Sequence, residues 1–138
     1  DIMQQVVVNA QKLAEELAGY GFRIVSGGTD NHLLVVDLRG KGITGTVFQD
    51  ALDAVGITVN KNMIPFDPEK PSVTSGVRIG LTSVTQRGLK EPEIVEIASI
   101  MNQVAEAPTD EANLAACKER AEALISKFPL YPAGAFED

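Results

Sequence analysis

Apolar residues recur at helical spacing near the start of the chain: Val6, Ala10, Leu13 and Leu17 share one face, with Gln4, Gln11, Lys12, Glu15 and Glu16 between them. This predicts a helix over residues 2–18, stopped by Gly19 and Gly21. The period then shortens. Residues 22–25 read as a short strand, SGGTDN (26–31) as a turn, and HLLVVDL (32–38) as a strand apolar on both faces and hence central in its sheet. Helical spacing returns with Val47, Phe48, Ala51, Leu52 and Val55, capped by Thr44 or Thr46 and ended by Gly56; Thr46 and Gln49 also have capping-box spacing. Two further strands are expected at residues 57–59 and 77–80. Glu91-Pro92 opens another helix, with proline at its first position and Ile94, Ile97, Ala98, Met101 and Val104 on one face as far as Pro108. Thr109 or Asp110 caps a last helix presenting Leu114, Cys117, Ala121, Leu124 and Phe128, before PLYP.

The order is helix, strand, strand, helix, strand, strand, helix, helix. It predicts an α+β fold with helices packed on one face of a small, largely antiparallel sheet. Leu34, Val36, Ile57, Val59, Val77 and Ile79 are expected in that sheet, under the four helices. There is no internal repeat or low-complexity segment, and residues 1–138 read as a single domain.

One stretch resists the pattern. Between residues 59 and 77 the chain has little periodic hydrophobicity and carries Pro65, Pro68 and Pro71. Long connections without secondary structure are usually functional or disordered. Proline stiffening, and Ser75-Gly76 just before Arg78, favour the functional reading.

Composition narrows the class. With 44% hydrophobic and 22% charged residues the chain is ordinary globular protein. A net charge of −7 disfavours nucleic acid or an anionic membrane as partner, since both require a basic patch. No apolar stretch approaches the roughly 20 residues of a membrane span. The single cysteine, Cys117, cannot form an internal disulfide, which fits a cytoplasmic protein. Because Asp1 stands directly inside a helical pattern, the chain reads as a piece of something longer.

Arg78 stands out chemically. It lies in a strand between Val77 and Ile79, with Gly76 and Gly80 leaving room for another group. Its planar fork suits the carboxylate of an amino acid or small acid; the plain alternative is a solvated strand arginine. Asn60 and Asn62 can donate and accept at once and so read a heterocycle edge, although asparagine is also a common turn residue. Lys61 lacks the desolvating surroundings of a Schiff-base lysine. His32, alone, is a poor metal site, and no metal is expected. Cys117, on an apolar stripe, reads as a small buried hydrophobe. The glycines of SGGTDN are followed by no helix and make a weak phosphate cradle.

The stretch TVNKNMIPFDPEKPSVTSGVRIG, with SGGTDNHLLVVDL upstream and TQRG downstream, closely resembles the C-terminal domain of bacterial serine hydroxymethyltransferase, also called glycine hydroxymethyltransferase. The likeness runs from the first helix to KFPLYP. It implies the small domain of a fold-type-I pyridoxal-phosphate enzyme. Such a parent interconverts serine plus tetrahydrofolate and glycine plus 5,10-methylenetetrahydrofolate, in one-carbon metabolism and amino-acid biosynthesis. By the same resemblance, Arg78 of the SG-x-R-x-G pattern grips the substrate α-carboxylate, and Asn62 lies by the pteridine of tetrahydrofolate. The catalytic lysine belongs to a THK motif that this sequence does not contain, so the isolated chain is expected to be inactive, with the large pyridoxal-phosphate-binding domain lying outside it. A homodimer or tetramer of the parent is implied. The long stretch would then carry the chain from the folate-side asparagine to the carboxylate-side arginine.

The sequence departs from the family pattern at Ser72, where phenylalanine is common, and in LTSVTQRG. The alternative to an enzyme domain is a free-standing α+β module that binds an amino acid or mediates assembly.

Overall fold

The first apolar stripe forms as its spacing demands: helix α1 (Ile2–Gly19) buries Val6, Ala10, Leu13 and Leu17. The computed structural model describes residues 2–25, 33–81, 85 and 88–127. After α1 come strand β1 (Arg23–Ile24), strand β2 (Leu33–Asp37), a single 3-10 turn (Arg39–Lys41) and helix α2 (Gly45–Val55). Strands β3 (Asn60–Asn62) and β4 (Gly76–Gly80) follow, then helices α3 (Glu91–Glu106) and α4 (Glu111–Ser126).

The four strands form one sheet in the order β1-β2-β4-β3, antiparallel at every step. Leu34, Val36, Val77 and Ile79 point to the helical side, where they join Leu13, Phe48, Leu52, Ile94 and Met101 in one buried cluster. Helices α1 and α2 make the main contacts with the sheet; α3 packs along α1, and α4 against α3 and α2. The α+β reading with an antiparallel sheet therefore holds. All four helices lie on one side of the sheet, α1 and α2 with the most extensive contacts to it.

Several expectations shift for local reasons. Residues 57–59 are not a strand. Left-handed Gly56 (φ 98°) closes α2, and the Ile57 N–H turns back to the Leu52 carbonyl at 2.9 Å, so Ile57 is used in ending the helix. Val59 is buried in the core, and ladder pairing begins only at Asn60. Thr44 is the N-cap of α2, accepting from the Val47 N–H at 3.4 Å. The Thr46–Gln49 box does not form. Thr46 donates instead to the Ser72 carbonyl at 2.9 Å, and Gln49 accepts the Lys61 N–H at 2.7 Å. Pro92 is the second residue of α3, not the first; Glu93 accepts the Lys90 N–H there at 2.8 Å. Asp110 caps α4. His32, Phe128 and the SGGTDN turn lie outside the described residues.

One buried polar residue escaped the pattern. Asn9, fully buried on α1, donates to the Thr85 hydroxyl and the Leu89 carbonyl and accepts from Gln5, which ties α1 to the connection between β4 and α3. Every hydrogen bond it makes offsets a desolvation cost.

Gly45 shows how tightly α2 meets the residues before β4. A Cβ there would overlap the Thr74 hydroxyl and come within 2.5 Å of the Gly76 carbonyl. Gly45→Ala should therefore push this backbone apart and cost about 1–3 kcal/mol, as overpacking does. Urea unfolding should show a lower midpoint with an unchanged slope; an unchanged midpoint would mean the contact is more compliant than its geometry indicates.

Candidate functional site

Side chains alternate along a strand, so burial of Val77 and Ile79 sends Gly76, Arg78 and Gly80 to the opposite face. The register extends this face sideways. Arg78 stands opposite Val35 on β2 and Asn60 on β3, while the next row runs Arg23, Asp37, Gly76, Asn62. Among the described residues no helix covers this side. The structure thus brings Arg78, Asn60 and the half-buried Asn62 to one side of the sheet, with exposed Gly80 beyond Arg78 and buried Gly76 packed close to Ile64. The long connection runs from Asn62 to the start of β4 and closes a wide hairpin whose strands are direct neighbours.

Arg78 is exposed and has no hydrogen-bond or ion-pair partner among the described residues. Its diagonal neighbour, Asp37, is only 2% exposed and already saturated. Arg39 donates from its backbone N–H at 3.0 Å and from Nη2 at 2.9 Å, and Arg23 from Nη1 at 3.3 Å. Burial alone would raise the Asp37 carboxyl. The hydrogen bonds from Arg39 and the charges of Arg39 and Arg23 outweigh it and hold the group below the usual carboxylate range. With Asp37 occupied, the Arg78 fork stays free for an external anion. Arg23 and Arg39 pair with Asp37, and Arg39 also feels the charge of Asp67, so Arg78 adds its positive charge beside an arginine-rich cluster on an acidic chain.

The connection from β3 to β4 is ordered by Asp67, a residue that sequence reasoning missed. Its Oδ2 accepts the N–H groups of Ile64 (3.2 Å) and Ser75 (2.8 Å), and its Oδ1 accepts the Ser75 hydroxyl (2.7 Å) and the Glu69 N–H (2.8 Å). Burial pushes this carboxyl up, but the four donors bring it down to about 2. The Asp67-Pro68 turn pair was the available signal. Thr74, buried with φ +58°, holds a conformation costly for a β-branched residue, about 1–3 kcal/mol, and Phe66 (φ +56°) projects wholly into solvent. Thr74 is held by its N–H to the Lys70 carbonyl, its hydroxyl to the Gly76 carbonyl, and its own carbonyl to the Gly45 N–H. Thr46 N–H bonds the Val73 carbonyl, so this connection satisfies two of the free donors that begin α2. Ser72, at the departure from the family pattern, is exposed; only its carbonyl is used, by Thr46 and Lys61.

Other candidates find ordinary places. Cys117 is fully buried and burial pushes its thiol up, away from nucleophilic use. No lysine of the chain is buried, and Lys61 Nζ is engaged by the Ser72 carbonyl. Among the described residues no cluster of three or more metal-ligating side chains occurs, and no helix is long and apolar enough to cross a membrane. A groove of about 530 Å³ lies between α3, α4 and the end of β4. It is lined by Ile57, Ile79, Met101 and Leu124, thus on the helical side of the sheet and away from Arg78.

Fold and face together define a small α+β domain that presents an arginine-bearing sheet surface. Comparison with known proteins narrows this. A family model described as serine hydroxymethyltransferase matches residues 1–101. The serine hydroxymethyltransferase of Myxococcus xanthus (strain DK1622) is 52% identical over 128 residues, which are 93% of this chain and 31% of that protein. The chain belongs to the serine hydroxymethyltransferase family and spans under a third of the length of this relative.

The Asp67 hub predicts a pH dependence. Its folded-state pKa, about 2, is depressed, so its stabilisation is whole above the ordinary carboxylate pKa of about 4 and is lost as pH falls through about 2. Asp37 acts in the same direction. Asp67→Asn should be less stable than the unaltered chain at pH 7, and the difference should shrink steadily below pH 4. A gap that persists undiminished to pH 2 would show that the lost stability is not electrostatic.

Proposed function

We propose that this chain is the substrate-binding small domain of a serine hydroxymethyltransferase, and that residues 1–138 fold as one unit within that parent. The observation that supports this is the exposed Arg78 fork on β4, without a side-chain partner among the described residues, in a chain of that family. Arg78 binds the α-carboxylate of serine or glycine through two parallel N–H···O bonds, which fixes the orientation of the amino acid. Gly80, exposed on the same strand, lets the substrate approach, and the nearby Arg23 and Arg39 raise the local concentration of anions. Asn62, one row away, offers a donor and an acceptor to the pteridine edge of tetrahydrofolate.

Pyridoxal phosphate, which the family implies, supplies an electron sink when bound; its anchoring lysine belongs to the part of the parent outside this chain. The homodimer or tetramer, the cytoplasmic setting and the place in one-carbon metabolism rest on the family alone.

The test uses the full-length protein. Arg78→Ala leaves the substrate carboxylate unpaired and should cost about 2–5 kcal/mol. That corresponds to roughly two to four orders of magnitude in kcat/KM for serine. Arg78→Lys keeps the charge but loses the fork and should recover only part of this. Arg87, outside the described residues, is the contrast: near-normal serine cleavage by Arg78→Ala with a collapse in Arg87→Ala would place the clamp on the wrong arginine.

A second expectation concerns this chain alone. Incubated with pyridoxal phosphate and borohydride, it should trap no cofactor stoichiometrically at any one lysine. A single labelled lysine would overturn the assignment of the anchor to the rest of the parent.

A further inference from the structure

We infer that Asp67 is a positioning residue of the substrate face: by closing the neck of the connection over residues 63–75, its carboxylate sets the register in which Asn60 and Asn62 stand beside Arg78. The inference rests on the reading of Asn62 as the folate-side contact.

Strand β3 is short and at the sheet edge, with the pairs Asn60↔Arg78, Lys61↔Val77 and Asn62↔Gly76. So few ladder pairs specify register weakly. A slip of one residue would send both asparagines to the helical side and bring Lys61 onto the Arg78 face. Within the strand hydrophobic patterning opposes this weakly, because asparagine, lysine and asparagine carry no apolar alternation and the buried Val59 just before them is the apolar anchor.

Asp67 supplies the missing constraint. Ile64 lies two residues after β3, and Ser75 immediately precedes β4. One carboxylate oxygen, Oδ2, accepts the N–H of both and so holds the two strand ends at a fixed separation. Oδ1 adds the Ser75 hydroxyl and the Glu69 N–H. Other ties act differently. Gln49 fastens β3 to α2, and the Val73 and Thr74 carbonyls fasten the end of the connection to α2. Lys61 Nζ also crosses to the Ser72 carbonyl at 2.9 Å, but it is Asp67 that accepts the N–H groups of Ile64 and Ser75, next to the two strand ends, on one oxygen. The strained Thr74 adjoins Ser75, so releasing Asp67 gives that backbone freedom to relax at the point where β4 begins.

All four groups facing Asp67 are donors, so an acceptor-only side chain is required. In Asp67→Asn, an amide N–H₂ turned toward Ile64 and Ser75 meets two donors, while volume is nearly unchanged. Ser75→Ala removes one bond and leaves the two N–H ties across the neck.

The experiment is a double-mutant cycle in the full-length protein, read by steady-state serine cleavage at varied tetrahydrofolate. Displacing groups by about 1 Å typically costs about 10- to 100-fold, so Asp67→Asn should raise the KM for tetrahydrofolate by about that much and change kcat and the KM for serine less. Ser75→Ala should raise it by a smaller factor in the same direction. Because Asp67 acts through Asn62, Asp67→Asn placed on Asn62→Ala should add less than about threefold. A merely structural role would lower the melting temperature and the active fraction while leaving KM normal. That result, or fully additive effects, overturns the inference even where Asn62→Ala raises the KM for tetrahydrofolate as expected. An Asn62→Ala protein with normal tetrahydrofolate KM instead removes the folate contact and this inference with it. Should Asp67→Asn fail to fold, the cycle is run with Ser75→Ala, where strict additivity with Asn62→Ala is equally decisive.

Discussion

Strand β4 is hydrogen-bonded on both sides, and its two-residue period makes the burial of Val77 and Ile79 and the exposure of Arg78 a single event. Core and site are thus two sides of one strand. The helices gain by covering the valine–isoleucine face, and nothing further is needed to aim the guanidinium away from them. Because β2 and β3 lie on either side, the same pairing decides the neighbours of Arg78: Val35 on one side, Asn60 on the other.

What keeps that guanidinium available is charge arrangement in the adjoining row. Asp37 would be the natural partner of a strand arginine, but Arg39 and Arg23 already fill its lone pairs. A buried carboxylate without such partners would be costly, and one with a single partner would attract a second. Here the ion pairs are completed locally. The surplus positive charge remains on the open face, against an overall charge of −7. Such a local field draws small anions to a chain that would repel large polyanions.

The connection between β3 and β4 has no ladder of its own, yet its backbone groups are well accounted for. Asp67 collects three N–H groups, the Val73 and Thr74 carbonyls cap α2, and the Ser72 carbonyl takes Thr46 and Lys61. Strain at Thr74 persists because surrounding bonds over-determine it. Gly45 is required for the same closeness: any side chain there would separate helix from connection. Rigidity at this place is what lets groups from two strands and a turn present one constant surface.

Local physics determined much of this from the sequence alone. Stripes at helical spacing located α1, α2, α3 and α4, because burying one face of a helix leaves a period that no other element shares. Alternation around Arg78 likewise placed it opposite Val77 and Ile79. The resemblance of TVNKN and SGVRIG to a known family pointed to Asn62 and Arg78, and the strand pairing puts these two on the same side of the sheet. Tertiary structure decided what depends on partners distant in sequence. Ile57 was drawn into the end of α2 and the strand moved to Asn60. Thr46 and Gln49 abandoned a local box for Ser72 and Lys61, and Asn9 found Thr85 and Leu89. Asp67 looked like a turn residue and became the tie between two strands. In each case one polar group had several chemically equal partners within reach of the pattern, and only the packed backbone determined which of them came within bonding distance.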